Sequence, residues 1–247
     1  MTAGIRYGRA DMHMHTNLSD GASSVQELLD YVCRQTNLAV IAITDHDRLD
    51  ASLWAYENRH RYPFDIVPGV EVTSREGHVL AWWVTERIPA GLSLEETVQA
   101  IHETGGVAVL AHPFQVQICE TRKGAKRYFN DIRLIERAGF DAVEVVNAAA
   151  FPPGSNALTK VICGRLQTAC VANSDAHTLN GIGSGHTLFP GCTADDLRHA
   201  IESRQTRPVG GMWSPMAYGE YFKSLMNGTI SYDGVKDYHP SRGLNRW

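Results

Sequence analysis

The chain has 247 residues, of which 43% are hydrophobic and 20% charged, so it is long enough for one large domain of ordinary soluble composition. A net charge of −4 argues against tight, sequence-independent binding of long nucleic acid, because such binding relies on many Lys and Arg side chains at phosphates. No apolar run approaches the roughly 20 residues of a membrane span, and no secretion signal is recognisable. We therefore expect no membrane association and a cytoplasmic location.

The cysteines indicate neither a disulfide framework nor a zinc ribbon. They are five in number and contain no Cys-x-x-Cys pair. The eleven histidines are the unusual feature of the composition. Their positions carry most of the information about function.

Strands and helices alternate along the sequence. After an opening strand that carries His13 and His15, apolar runs predict strands at 38–43, 65–73, 78–84, 107–111, 140–146 and 168–172. The residues 74–77 have the composition of a turn, which predicts that 78–84 is a returning strand. Helices are predicted at 25–33, 49–61, 93–104, about 126–138, 156–166 and 193–204, whereas 114–126 has the composition of a loop. Ser24 with Glu27, and Ser93 with Glu96, form capping boxes at two of these helices. About seven strand–helix units predict a parallel α/β architecture closed into a barrel.

Residues of metal-binding type fall where the apolar runs stop. His13 and His15 are two apart in an extended strand, so their imidazoles project from the same face and can bind one ion together. Glu71 is a lone carboxylate within an apolar run, and must be paired, protonated or bound to metal. The candidate ligands are His13, His15, Asp20, His46, Glu71, His78, His112, Asp175 and His177.

This ligand set indicates the kind of metal centre to expect. Imidazole and carboxylate donors without thiolate suit Zn, Mn, Fe or Co. Nine such residues are too many for one ion, which predicts two or three divalent ions. In α/β barrels, chemistry collects at the C-terminal ends of the strands, which is where these residues are expected.

The motifs together resemble the PHP family of polymerase and histidinol phosphatase domains. They are His-x-His with a following Ser-Asp-Gly, then Thr-Asp-His, Gly-Val-Glu, Gly-His-Val, Ala-His-Pro and Ser-Asp-Ala-His, spread from Ala10 to about Pro190. The resemblance implies a distorted (β/α)7 TIM-like barrel of the PHP type, which we place at residues 1–213. Residues 214–247 have no counterpart in the pattern, and we expect an aromatic-rich extension that packs on the barrel, the alternatives being that it covers the site or joins a partner subunit.

The resemblance also implies how the ligands are divided in a trinuclear centre of Mn, Fe or Zn. It assigns His13, His15, Glu71 and Asp175 to one ion, Glu71 with His78 and His112 to a second, and Asp20, His46 and His177 to a third. The nucleophile is then predicted to be a metal-bridging hydroxide held by Glu71, Asp175 and His177, and not a side chain.

Four further residues are candidates for accessory roles. Asp45 is predicted to orient a liganding imidazole, and Asn147 to contact the substrate from the end of its strand. Arg122 and Lys123 are predicted to grip a phosphate or a leaving group. The alternatives are an exposed Asp45 leading a helix, a turn-forming Asn147, and a solvated basic start of a helix.

The predicted function is hydrolysis of a small phosphorylated substrate, with a phosphomonoester favoured. A phosphodiesterase or 5'-3' exonuclease acting on short oligonucleotides is the alternative within the same chemistry. A C–N hydrolase of the amidohydrolase type usually needs a bridging Lys at a strand end, which the predicted strands do not offer. A non-catalytic, metal-stabilised module would tend to lose ligands, whereas this sequence keeps all nine.

Overall fold

The computed structural model describes residues 6–115, 119–150 and 154–230, with 119–122 described by backbone alone. The strands in these ranges are β1 (Tyr7–Asp11), β2 (Val40–Ile43), β3 (Asp65–Ser74), β4 (Gly77–Trp82), β5 (Val107–Leu110), β6 (Ala142–Asn147), β7 (Ala169–Asn173), β8 (Gly185–Pro190) and β9 (Arg207–Gly210). The helices are α1 (Val25–Gln35), α2 (Asp50–Glu57), α3 (Leu94–Glu103), α4 (Cys119–Asn130), α5 (Leu134–Arg137), α6 (Ser155–Cys163), α7 (Ala194–Glu202) and α8 (Pro215–Met226). Short 3₁₀ turns lie at Arg59–Arg61 and Leu179–Gly181.

The strands form one sheet that curls into a nearly closed barrel, in the order β7-β6-β5-β4-β3-β2-β1-β8-β9. At one end of the barrel, the segments that continue β1 and β7 meet in a parallel bridge between Met14 and Ala176. At the other end, β8 lies between β1 and β7. It is antiparallel to β1, and the hydroxyl of its Thr187 accepts a hydrogen bond of 2.9 Å from the amide of Ala172 in β7. Seven strands therefore make the barrel, as predicted, and β8 with β9 closes its seam.

The sheet is mixed. Strand–helix alternation predicts parallel strands, and the predicted turn at 74–77 with a returning strand after it is the exception that the structure confirms. β4 runs antiparallel to both β3 and β5. The reason is the short connection between β3 and β4, since Arg75 and Glu76 form a hairpin turn and a parallel crossover needs a dozen or more residues. Consequently the first residues of β4 lie at the same rim of the barrel as the last residues of the parallel strands.

Local sequence signals set several helix boundaries. Both predicted capping boxes are present, at Ser24 with Glu27 and at Ser93 with Glu96. The predicted loop at 114–126 is wrong in part, because α4 begins at Cys119. Among the described residues, no helix combines the length and the apolar character that a membrane crossing requires.

The chain returns to the rim at its C-terminal side. β9 is antiparallel to β8, which is antiparallel to β1, so β9 runs in the same direction as β1 and delivers α8 to the rim. Trp213 fixes this connection, because its amide donates to the Ala148 carbonyl over 2.8 Å. The described part of the C-terminal extension, 214–230, thus lies beside the ends of β6 and β7, while 231–247 is outside the described residues.

Candidate metal centre

All nine predicted ligands converge on the rim where the parallel strands end. Their donor atoms form five overlapping groups, within each of which the atoms lie within 4.8 Å of one another. The groups are His13–His15–Glu71, His13–His112–Asp175, His15–Asp175–His177, His15–Asp20–His46 and His46–Glu71–His78. Seven of the nine are buried, and His46 and His177 are partly exposed at the mouth of the cluster.

Glu71 lies at the centre of this cluster, and its two carboxylate oxygens face different imidazoles. Its Oε1 lies 2.9 Å from Nδ1 of His78 and 3.0 Å from Nε2 of His112. Its Oε2 lies 3.1 Å from Nε2 of His13, 3.3 Å from Nε2 of His15 and 3.4 Å from Nδ1 of His46. A carboxylate in this position can bridge two ions.

Asp175 and Asp20 complete the cluster on the two other sides. Oδ1 of Asp175 lies 3.3 Å from Nε2 of His13 and 3.2 Å from Nε2 of His15. Oδ2 of Asp20 lies 3.1 Å from Nε2 of His177 and 3.6 Å from Nε2 of His46. Each of the three carboxylates, Glu71, Asp175 and Asp20, therefore lies between imidazoles that come from different segments of the chain.

The donor spacing fits divalent metal ions. Metal–ligand bonds of about 2.1 Å place neighbouring donors about 3.0 Å apart in octahedral and about 3.4 Å apart in tetrahedral coordination. The separations around Glu71 and Asp175 fall between 2.9 and 3.6 Å, close to these values. Both ring nitrogens of His15 and Nδ1 of His78 are buried within 3.4 Å of carboxylate oxygens, but none of these contacts has the geometry of a hydrogen bond. Cations would satisfy these nitrogens, whose burial is otherwise costly.

The electrostatics of the cluster also favour bound cations. Burial alone would lower the pKa of His15, but Asp20 and the other surrounding carboxylates raise it to about 10. Burial likewise opposes the charged form of His46, yet Glu71 and Asp20 raise its pKa to about 9. Burial would raise the pKa of the Glu71 carboxyl, whereas the facing histidines hold it well below its usual value. An environment that stabilises positive charge this strongly suits metal ions as well as protons.

Two of the candidate ligands have strained backbones. His112 has φ of 24° and Asp175 has φ of 50°, in the left-handed region that residues with a Cβ rarely occupy. Each such residue costs on the order of 1–3 kcal/mol, and such strain is concentrated at functional sites. The strain at both positions turns the chain sharply as it leaves β5 and β7, so that each side chain enters the cluster.

Glu144 is a buried carboxylate behind the cluster that the sequence analysis missed. Its Oε1 accepts from Nδ1 of His13 over 3.0 Å and from Nδ2 of Asn173 over 2.8 Å. Its Oε2 accepts from the backbone amide of His112 over 3.0 Å and from Nδ2 of Asn147 over 2.9 Å. Glu144 thus fixes the ring of His13 with Nε2 directed at Glu71, which is the usual role of a carboxylate behind a metal-binding histidine. Its signal is the same as that of Glu71, a lone acid between apolar neighbours in a strand.

The predicted accessory residues have different surroundings from those expected. Asn147 is fully buried, and its Nδ2 donates to Asp175 Oδ2 as well as to Glu144, each over 2.9 Å. It therefore positions Asp175 and has no exposed surface for the predicted substrate contact. The side chain of Arg122 is outside the described residues, and Lys123 is exposed on α4. A phosphate contact by either of them stays a prediction.

Asp45 holds a loop. It is buried, and it accepts hydrogen bonds from the Thr16 amide at 2.7 Å, the Thr16 hydroxyl at 2.6 Å and the Ser19 hydroxyl at 2.5 Å. Among the described contacts, none joins it to an imidazole, so the predicted orientation of a ligand by Asp45 is indirect. The residue fixes the segment that connects His15 to Asp20.

Comparisons with known proteins agree with this fold. Residues 153–206 match the family model described as PHP-associated. An uncharacterised protein of Methanocaldococcus jannaschii is 32% identical over 151 residues, which cover 57% of this chain and 82% of the relative. A two-domain protein of Bacteroides vulgatus, containing a predicted PHP-like metal-dependent phosphoesterase, has a similar fold with a TM-score of 0.70 and 16% identity, over 89% of this chain and 70% of that one. The lesion-specific endonuclease EndoQ of Pyrococcus furiosus is similar with a TM-score of 0.59 and 17% identity, over 82% of this chain and 58% of that one.

Proposed function

We propose that this chain, which belongs to the PHP family of metal-dependent phosphoesterases, hydrolyses phosphomonoesters of small organic compounds. The observation that carries the proposal is the position of Glu71, whose two oxygens face separate sets of imidazoles. This arrangement supports at least two adjacent ions, as catalysis at a phosphate ester by a metal cluster requires. We further propose that the substrate is small, because a net charge of −4 disfavours long nucleic acid, and that the protein is cytoplasmic.

The residues divide into three sets of proposed ligands. These are His13, His15, Glu71 and Asp175 for the first ion, Glu71, His78 and His112 for the second, and Asp20, His46 and His177 for the third. Divalent ions of the Mn, Fe or Zn type would supply a water of lowered pKa and would neutralise charge on the phosphoryl oxygens.

The protein's own groups prepare this site for a dianion. Three carboxylates in the cluster face six imidazoles, and the carboxylates carry three negative charges when ionised. Three divalent ions would bring about six positive charges, so a three-ion centre would have a net positive charge even when the buried carboxylate of Glu144 is counted. Glu144 and Asn147 hold His13 and Asp175 behind the centre, and thereby keep these side chains in place when substrate enters. The partly exposed His46 and His177 mark the side from which we propose that substrate approaches.

A phosphodiester is the second candidate substrate. A fold similar to that of a lesion-specific endonuclease supports it. The two substrate classes differ in charge at the phosphate, since a monoester is a dianion near neutral pH and a diester is a monoanion. The net positive centre proposed above favours the dianion.

The test measures turnover of an aryl phosphomonoester and of the corresponding diester by Mn-loaded protein. The wild type is compared with Asp175→Asn, which keeps the size of the side chain and removes its charge. The control is Asp195→Asn, which changes the same group at an exposed position in α7. We expect monoester turnover by the wild type and the control, and a loss of about 100-fold or more in Asp175→Asn, comparable to removal of a principal electrostatic group from an active site.

Three results would contradict the proposal in different ways. Turnover of the diester alone would replace the monoester with the second candidate. Turnover retained in Asp175→Asn would exclude this cluster as the site. No turnover of either ester, although metal is bound, would reject phosphate ester hydrolysis of this simple kind.

A further inference from the structure

The helix α8 forms one wall of the entrance to the candidate metal centre. Trp213, just before α8, is nearly buried, and its Nε1 donates to the Ser174 carbonyl over 2.7 Å. Ser174 directly precedes Asp175, so this bond ties the start of α8 to the strained segment that carries two candidate ligands. Further along the helix, Glu220 accepts from Nδ2 of Asn180 over 2.6 Å. The helix is therefore held at both places against the segment that follows β7.

A row of aromatic rings leads from the cluster along this wall toward solvent. The Tyr221 ring lies 5.6 Å from the ring of His177, in an edge-to-face arrangement, and 5.6 Å from the ring of Trp213. Phe222 continues the row, with its ring 6.0 Å from that of Tyr221. Phe222 is 59% exposed, and Tyr221 is partly exposed. The row thus begins at a proposed metal ligand and ends at the surface.

We propose that Tyr221 and Phe222 form a subsite that binds a planar, aromatic organic group of the substrate, and this inference rests on the proposed phosphoesterase function. A phosphate bound beside His177 would direct its organic group out of the cluster, toward the side on which Tyr221 lies. Aromatic rings pair with one another through offset-stacked or edge-to-face contacts. A scattered exposed Phe needs no explanation, but this one continues a row that starts within the site.

The character of the wall favours an aromatic group over other organic groups. One turn beyond Phe222 on α8 lies Met226, which is 88% exposed. Methionine sulfur and aromatic rings both make favourable contacts with aromatic groups. The rings of the row are uncharged and offer few polar partners for a sugar.

The experiment uses two substrates that differ in whether the ring is aromatic and planar or saturated, benzyl phosphate and cyclohexylmethyl phosphate. Both have a six-membered ring and release a primary alcohol, so the chemical step is closely matched. We expect the Mn-loaded wild type to have a kcat/KM for benzyl phosphate about threefold to tenfold above that for the saturated ester, in line with one aromatic contact. In Tyr221→Leu this preference should fall to near unity, mainly through KM, whereas Tyr221→Phe should retain it.

The matched control is Tyr7→Leu, which removes the same side chain from a partly exposed position at the start of β1, at the opposite end of the barrel. This variant should keep the wild-type preference. Equal kcat/KM for the two esters in the wild type, or a preference that survives in Tyr221→Leu, would overturn the aromatic subsite while leaving the phosphoesterase function intact. Absence of phosphate release from both esters in the wild type would instead reject the proposed function, and the subsite with it.

Discussion

The substitution Glu144→Gln tests whether the buried carboxylate behind the cluster determines metal binding. Each oxygen of Glu144 accepts two hydrogen bonds, from His13 and Asn173 at one oxygen and from His112 and Asn147 at the other. Glutamine has nearly the same volume, but its amide nitrogen replaces one acceptor with a donor. Two of the four donors would then face another donor at a fully buried position.

The expected losses follow from these contacts. Each buried donor without an acceptor costs about 1–3 kcal/mol, so Glu144→Gln should lower the free energy of unfolding by about 2–6 kcal/mol. Loss of a carboxylate behind a metal-binding histidine typically weakens metal affinity or activity by about 10–100-fold. Urea unfolding of the metal-free protein measures the first effect, and a Mn²⁺ titration measures the second.

The control for this prediction is Glu103→Gln on the exposed surface of α3, where the carboxylate accepts a hydrogen bond from Gln99. This change should stay within about 0.5 kcal/mol of the wild type. If Glu144→Gln bound Mn²⁺ as tightly as the wild type and unfolded at the same urea concentration, Glu144 would have no role in holding His13, and our interpretation of the site would be wrong on that point.

Two further changes probe the metal centre and the packing of the helices. Saturation with Mn²⁺ at about 100 times Kd should stabilise the folded protein by about 2.7 kcal/mol, which corresponds to a rise in Tm of roughly 5–11 °C over protein in EDTA. An unchanged Tm in a thermal scan would contradict metal binding by the folded state. Gly124→Ala should destabilise the protein by about 1–3 kcal/mol, because a Cβ there would clash with the Glu76 carbonyl oxygen. Gly219→Ala in α8, where a Cβ meets nothing within 4 Å, should stabilise the protein by up to about 1 kcal/mol. Urea unfolding measures the stability of both variants, and a Gly124→Ala protein more stable than Gly219→Ala would refute this reasoning.

The parts of the fold that the sequence predicted well are those with a local physical cause. The capping box at Ser24 satisfies orphan amides within four residues, so it specifies the start of α1 without help from the rest of the chain. The short apolar runs that became β2 and β5 are likewise buried along their whole length. The barrel itself follows from the number of such units and from the family resemblance.

The parts that were missed depend on contacts between distant residues. The segment that forms α4 is polar and contains Gly124, both typical of a loop, yet the glycine is there because α4 packs closely on Glu76. β8 and β9 are short and contain Pro190 and Pro208, and they form because β1 offers an open edge at the seam of the barrel. No local sequence pattern indicates such an open edge.

In the candidate site, likewise, residue type could be predicted from the sequence, whereas the position of each side chain depends on contacts between distant segments. The sequence could select His78 as a ligand by type, and predicted it at the start of a strand that returns from a turn. The structure confirms this, since His78 is the second residue of β4, and the reversed direction of that strand sets it opposite Thr73 in β3. A parallel β4 would have carried His78 to the other end of the barrel. The two-residue turn at Arg75 and Glu76, which is no part of the cluster, is therefore what brings His78 within 2.9 Å of Glu71.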